Sequence, residues 1–268
     1  THYFGGWQYA FYVPGIIALL GAAYILLRLR DTPQSLGLPP IEEYNQDYPE
    51  GHSETAEKEI PLGELLFTHV LTNKLIWLLA IANFFAYIAR YSMLDWGPLY
   101  VREMKGADLM GGGTVVMAIE FGGIPSTIFL GWISDRLGGR RGQVTTLCLL
   151  PVLAAFSAIL FIPNNMLWLD LVMLVVVGLF IYPVINFIVI MALDLKGKKA
   201  IGAAAGFIGL FGYLGRTAQA KGFGWMLDTL TLAHNKEFAW RCVITAILIS
   251  TLAALLLLAG TWRLKPRS

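Results

Sequence analysis

Residues 167–193 read LWLDLVMLVVVGLFIYPVINFIVIMAL, a long apolar block with no regular alternation of polar residues. About 20 apolar residues suffice to cross about 30 Å of hydrocarbon at about 1.5 Å of rise per helical residue, so the block predicts a transmembrane helix. A strand of a membrane β-barrel would alternate in polarity, and neither this block nor 147–161 does so. The rest of the chain agrees. Of its 268 residues 56% are hydrophobic and 14% charged, where a soluble domain carries roughly 25% charged residues. The mean hydropathy is +0.62. The fold class expected is an all-α membrane protein.

Working outward, apolar blocks bounded by charges and breakers predict seven spans, near 7–29, 76–100, 112–137, 144–161, 167–193, 200–227 and 238–262. One connection is long: the polar stretch from Arg30 to Asn73, with Leu38-Pro39-Pro40 and an acidic run from Glu42 to Glu59. A solvated linker of that length marks a domain boundary. The organisation expected is therefore 1–29 as the last helix of an earlier bundle, 30–73 as a cytoplasmic central loop and 74–268 as a six-helix bundle. The chain opens Thr-His-Tyr with no charged n-region before its first apolar block, and it reads as a fragment without a signal peptide.

Lys and Arg accumulate at the cytoplasmic ends of spans. With the long linker cytoplasmic, that side holds Arg28, Arg30, Lys58, Lys74, Arg136, Arg140, Arg141, Lys196, Lys198, Lys199, Arg263, Lys265 and Arg267, against Arg102, Lys105, Lys236 and Arg241 opposite. Thirteen against four predicts a cytoplasmic linker and C-terminus. Arg90, Arg216 and Lys221 fall inside spans instead.

An arginine deep in a bilayer costs at least about 2.5 kcal/mol, so it faces a partner or a water-filled cavity. Arg90 lies near the middle of its span, with Tyr87, Tyr91 and Asp95 close by in sequence, Tyr87 on its face of the helix. Its planar fork of donors suits phosphate or carboxylate, which makes Arg90 the candidate anion-binding residue. Glu120, at similar depth in the next span, offers the competing reading of a structural Arg90–Glu120 ion pair, and a substrate phosphate displacing the carboxylate would satisfy both. Gly202, Gly206, Gly209, Gly212 and Gly215 form a small-residue face on the sixth span, where helices approach closely. Tyr182 and Tyr213 are placed to line a cavity or simply to pack. Arg216 adds positive charge suited to a substrate with more than one negative group; Lys221 either joins it or snorkels to an interface.

Gly131-Trp132-Ile133-Ser134-Asp135-Arg136-Leu137-Gly138-Gly139-Arg140-Arg141 closes the third span with a glycine turn. Asp135, Arg136, Arg140 and Arg141 are expected to bridge neighbouring helix ends and to gate a conformational change, with Glu120 and Asp95 coupled to it. Cys148 and Cys242 read as packing residues inside apolar blocks. His2, His52, His69 and His234 lie outside the spans or at their edge, giving no proton relay. No Walker-type loop and no metal-spaced cluster is present in the sequence. No cofactor, no nucleic acid and no catalytic residue is expected.

The Gly131–Arg141 loop resembles the signature of the major facilitator superfamily. The linker Arg30-Asp31-Thr32-Pro33-Gln34-Ser35-Leu36-Gly37-Leu38-Pro39-Pro40-Ile41-Glu42-Glu43-Tyr44 resembles the central loop of the glycerol-3-phosphate transporters in the organophosphate:phosphate antiporter family. Ala89-Arg90-Tyr91 through Leu94-Asp95-Trp96 is similar to that family's seventh helix, and Lys198-Lys199-Ala200 through Phe211-Gly212-Tyr213-Leu214-Gly215 to its eleventh. The resemblance implies helices six to twelve of a twelve-helix major facilitator fold, working as a monomer in the bacterial inner membrane. It implies exchange of an organic phosphate for inorganic phosphate by alternating access, at a site shared with an N-terminal bundle outside this chain. Arg90 matches one of two phosphate-binding arginines, and Tyr87, Tyr182 and Tyr213 match aromatic positions along the pathway. Three departures bear on substrate. Tyr182 is followed directly by Pro183, Arg216 replaces a small residue, and Lys221 resembles a lysine of the sugar-phosphate branch without its companion acid. Glycerol 3-phosphate is the leading substrate. Phosphoglycerate, phosphoenolpyruvate or hexose phosphates are the alternatives, as is a sensor of the same fold that moves nothing.

Overall fold

The structure is a computed structural model and describes residues 8–30, 33–39, 44, 67, 70–194 and 201–263. The chain divides into two units, Thr1–Glu59 and Ile60–Ser268. In the first, α1 (Tyr9–Arg28) is followed by a short 3-10 turn at Pro33–Leu36, closed by Gly37 in the left-handed region at φ 74°. Phe11, Leu19 and Leu26 of α1 are all more than 70% exposed, as on a helix whose apolar circumference is meant for lipid or another helix. Apart from Tyr44, the acidic run at 42–59 lies outside the described residues. So do His2, His52, His69, Lys58, Lys196, Lys198, Lys199, Lys265 and Arg267.

Among the described residues, the second unit is six long helices: α2 (Lys74–Lys105), α3 (Leu109–Arg136), α4 (Arg141–Ile159), α5 (Leu167–Asp194), α6 (Ile201–Ala233) and α7 (Lys236–Ala259). Local chemistry sets their ends. Asn73, Asp108 and Asn235 cap α2, α3 and α7 by accepting backbone N–H bonds from Leu75, Gly111 and Phe238 at 2.8–2.9 Å. Gly106, at φ 66°, stops α2 in the left-handed conformation, so the helix runs five residues past the apolar block that predicts it. Pro98, Pro125, Pro151 and Pro183 lie inside α2 to α5, each removing one backbone donor, as packed membrane helices tolerate.

Among the described residues, length and hydropathy qualify six helices as membrane spans, namely α1 to α5 and α7. The chain is a multi-pass membrane protein. The sequence predicts a seventh span at 200–227, and α6 does occupy it. At 33 residues it is long enough to cross, but its run of glycines with Arg216, Lys221 and Asp228 keeps it below the apolarity of the others.

The core lies where α2 packs on α3, α5, α6 and α7, and α5 on α3 and α4. Backbones approach most closely at glycines. A Cβ on Gly178 of α5 would overlap the carbonyl of Ile119, and one on Gly122 of α3 would overlap that of Val175. Across α2 and α6, a Cβ on Gly215 would meet the Phe84 carbonyl, and Gly212 faces Asn83 and Tyr87. Gly202, Gly206 and Gly209 face open space, so only part of the expected glycine face is packed. Asn83 donates to the Ile208 carbonyl at 2.9 Å and locks that crossing.

Candidate functional site

Halfway along α2, Arg90 meets the middle of α5. Its guanidinium carbon lies 4.1 Å from the ring centroid of Tyr182 on α5 and 5.0 Å from that of Tyr91. Cation–π contacts of this kind hold a planar cation in place without consuming its hydrogen-bond donors. Nε of Arg90 is buried and has no hydrogen-bond partner. Tyr182 donates its hydroxyl to Glu120 Oε1 on α3 at 2.5 Å. The direct Arg90–Glu120 ion pair offered by the sequence is not formed. One tyrosine joins the two charges, its ring against the guanidinium and its hydroxyl on the carboxylate.

Arg216 on α6 also lies over the ring of Tyr91, 4.2 Å from its centroid. Unlike Arg90, it has a carboxylate: Nη2 reaches Asp95 Oδ1 at 3.0 Å, and Gln219 Nε2 donates to Asp95 Oδ2 at 2.8 Å. Tyr87 completes the cluster, its ring 5.3 Å from Tyr91 and 5.8 Å from Tyr213. Tyr213 is 59% exposed.

The fold thus brings Tyr87, Arg90, Asp95, Glu120, Tyr182, Tyr213 and Arg216 together from positions up to 129 residues apart, Tyr87 to Arg216. Lys221 is exposed on α6 and makes no contact with the cluster. Asp135, Arg136, Arg140 and Arg141 sit in the α3–α4 turn, where Gly138 and Gly139 adopt φ 73° and 70°. Arg136 lies 3.8 Å over the ring of Trp132, and no described ion pair engages Asp135, Arg136 or Arg140. Sequence reasoning assigns no role to Tyr91, the ring shared by both arginines, or to Gln219. The only signal for Gln219 is its place one turn beyond Arg216.

The sequence profile of the Major Facilitator Superfamily matches residues 1–220. The chain belongs to this superfamily. Among characterised members it is similar to the glycerol-3-phosphate transporter of Bacillus subtilis, 39% identical over 264 residues, covering 98% of this chain and 58% of that protein. A probable hexose phosphate transport protein of Chlamydia pneumoniae is 37% identical over 97% of the chain and 58% of its own length. The hexose-6-phosphate:phosphate antiporter of Escherichia coli is 34% identical over 81% of the chain and 47% of its own length. The chain thus spans about half the length of these superfamily relatives.

Proposed function

We propose that this chain supplies one wall of a secondary transporter that exchanges glycerol 3-phosphate, or a related organic phosphate, for inorganic phosphate by alternating access. A contrast between two mid-helix arginines carries the reading. Arg216 is neutralised by Asp95, whereas Arg90 is held by two aromatic rings and makes no described ion pair. A guanidinium fixed in this way is a preorganised receptor for a phosphate group, which accepts its parallel donors two at a time. The relatives named for phosphate esters support the choice of anion.

The same geometry suggests the coupling. A phosphate on Arg90 brings negative charge toward Glu120, and the Tyr182 hydroxyl serves either acceptor but not both. Binding therefore competes with the α3–α5 hydrogen bond and biases the helices toward a different arrangement. Domains are proposed at 1–29, 30–73 and 74–268, with the remainder of a full-length protein closing the site opposite Arg90. The central segment and the C-terminus are assigned to the cytoplasmic face of a bacterial plasma membrane.

Counterflow tests the reading. Vesicles containing the full-length protein and loaded with phosphate should accumulate labelled glycerol 3-phosphate. Arg90→Lys should lower uptake about 10- to 100-fold, the loss expected when a charge-assisted bidentate contact becomes a point charge. Absence of flux with every phosphate ester tried would sink the transporter reading in favour of a sensor.

A further inference from the structure

At the end of the bundle where α2 finishes, Lys105 reaches Asp170 of α5 with Nζ 2.8 Å from Oδ2, and both side chains are fully buried. The same ammonium donates to the carbonyls of Ile162 and Pro163 at 3.1 and 3.0 Å, so it is tied to the α4–α5 turn as well as to α5. Tyr100 points its hydroxyl at Asp170 Oδ1 from 3.5 Å. Nothing in the phosphate-binding reading uses these residues. A buried ion pair adds little net stability over an apolar pair of similar shape, and its best-attested use is to fix register.

Register matters between these two helices. α2 carries Arg90 and α5 carries Tyr182, whose stack requires the antiparallel pair to be aligned. Among the described residues, the directional contacts between α2 and α5 occur at two places only, the Lys105–Asp170–Tyr100 group and the Arg90–Tyr182 stack. The remaining contacts are apolar and non-directional. The two places lie about 22 Å apart along α2 and about 18 Å apart along α5. A slide of one residue, about 1.5 Å, would break every bond to the Lys105 ammonium and move Arg90 off the Tyr182 ring.

We propose that Lys105 and Asp170 are positioning residues, a register lock at the end of the bundle that holds Arg90 over Tyr182 for phosphate. The proposal rests on the reading of Arg90 and Tyr182 as phosphate-binding.

The decisive variant in the full-length protein is the double replacement K105M/D170L, which removes both charges and leaves no unpaired ion in the core. With a positioning role, the variant folds and melts near the parent, yet its KM for inorganic phosphate rises about tenfold, the equivalent of about one lost charge-assisted contact. Lys105→Arg, which keeps the charge and its donors, should stay within a few-fold of the parent. Spin labels at exposed Ile81 on α2 and Asn186 on α5 give a readout independent of transport, and their distance distribution should broaden in the double variant. An unchanged KM together with an unchanged distribution overturns the lock. If the parent binds no phosphate, the functional reading fails, and the spin-label distances still decide whether the pair sets register. A double variant that does not fold assigns the pair to stability and overturns the proposal.

Discussion

At the scale of single residues, Arg90 was legible because a guanidinium inside an apolar block demands an explanation. Its surroundings were not. The ring beneath it and the carboxylate beyond come from α5 and α3, 92 and 30 residues away, and no local pattern announces such a triad. Pairing two charges by similar depth overlooks that an intervening tyrosine can serve both. The arrangement separates two roles of Tyr182. Tyr182→Phe keeps the ring under the guanidinium and removes the hydroxyl with its bond to Glu120. Tyr182→Ala removes both and leaves a cavity beside the cation. Phosphate affinity, measured as KM in counterflow, should change only a few-fold in the first. In the second it should fall by about tenfold or more, in line with about 0.5–2 kcal/mol for the cation–π contact plus lost packing. Equal losses in both would show that the hydroxyl rather than the ring holds the site.

Elements follow from backbone approach as much as from hydropathy. Glycines spaced by three or four residues reveal a face on α6, but spacing cannot say which of them meets a partner. Gly212 and Gly215 do, whereas Gly202, Gly206 and Gly209 do not. The tightest crossing, α3 on α5, uses Gly122 and Gly178, one from each helix, and spacing along one helix cannot pair a glycine with its partner on another. These positions sort into predictable classes. Gly178→Ala and Gly215→Ala each drive a methyl into a backbone carbonyl that has nowhere to go, and should cost about 1–3 kcal/mol. Gly206→Ala and Gly209→Ala add a methyl to open space in a helix that gains up to about 1 kcal/mol from leaving glycine. Thermal melting in detergent should therefore fall for the first pair and hold or rise for the second. The α6 glycines also explain why α6 falls outside the hydropathy count: the residues that let it sit against α2 contribute no apolar surface.

At the scale of the whole molecule, the helical class and the number of long helices could be read from block lengths alone, because the bilayer imposes them. The two ends of the second unit differ in how their basic residues are held. In the second unit, the α2 C-terminal end carries Arg102, Lys105, Lys236 and Arg241, and three of these are matched by acids: Lys105 by Asp170, Lys236 by Glu103 and Arg241 by Glu237. At the opposite end, packing of Gly142 against the Thr261 backbone joins the start of α4 to the end of α7, gathering Arg140 and Arg141 with Arg263. Arg136 there rests on Trp132, and Arg136 and Arg140 have no described carboxylate. Lys and Arg orient spans by their number near the span ends, with Asp and Glu contributing little, so the proposed cytoplasmic placement of this end rests on the count of basic residues in the sequence. A labelling experiment follows. A cysteine at Asn164, in the exposed α4–α5 turn, should react with a membrane-impermeant maleimide added to intact cells, and one at Leu137, exposed in the α3–α4 turn, should react only after permeabilisation. The reverse pattern would turn the molecule over in the membrane and place the Lys105–Asp170 lock on the cytoplasmic side of Arg90.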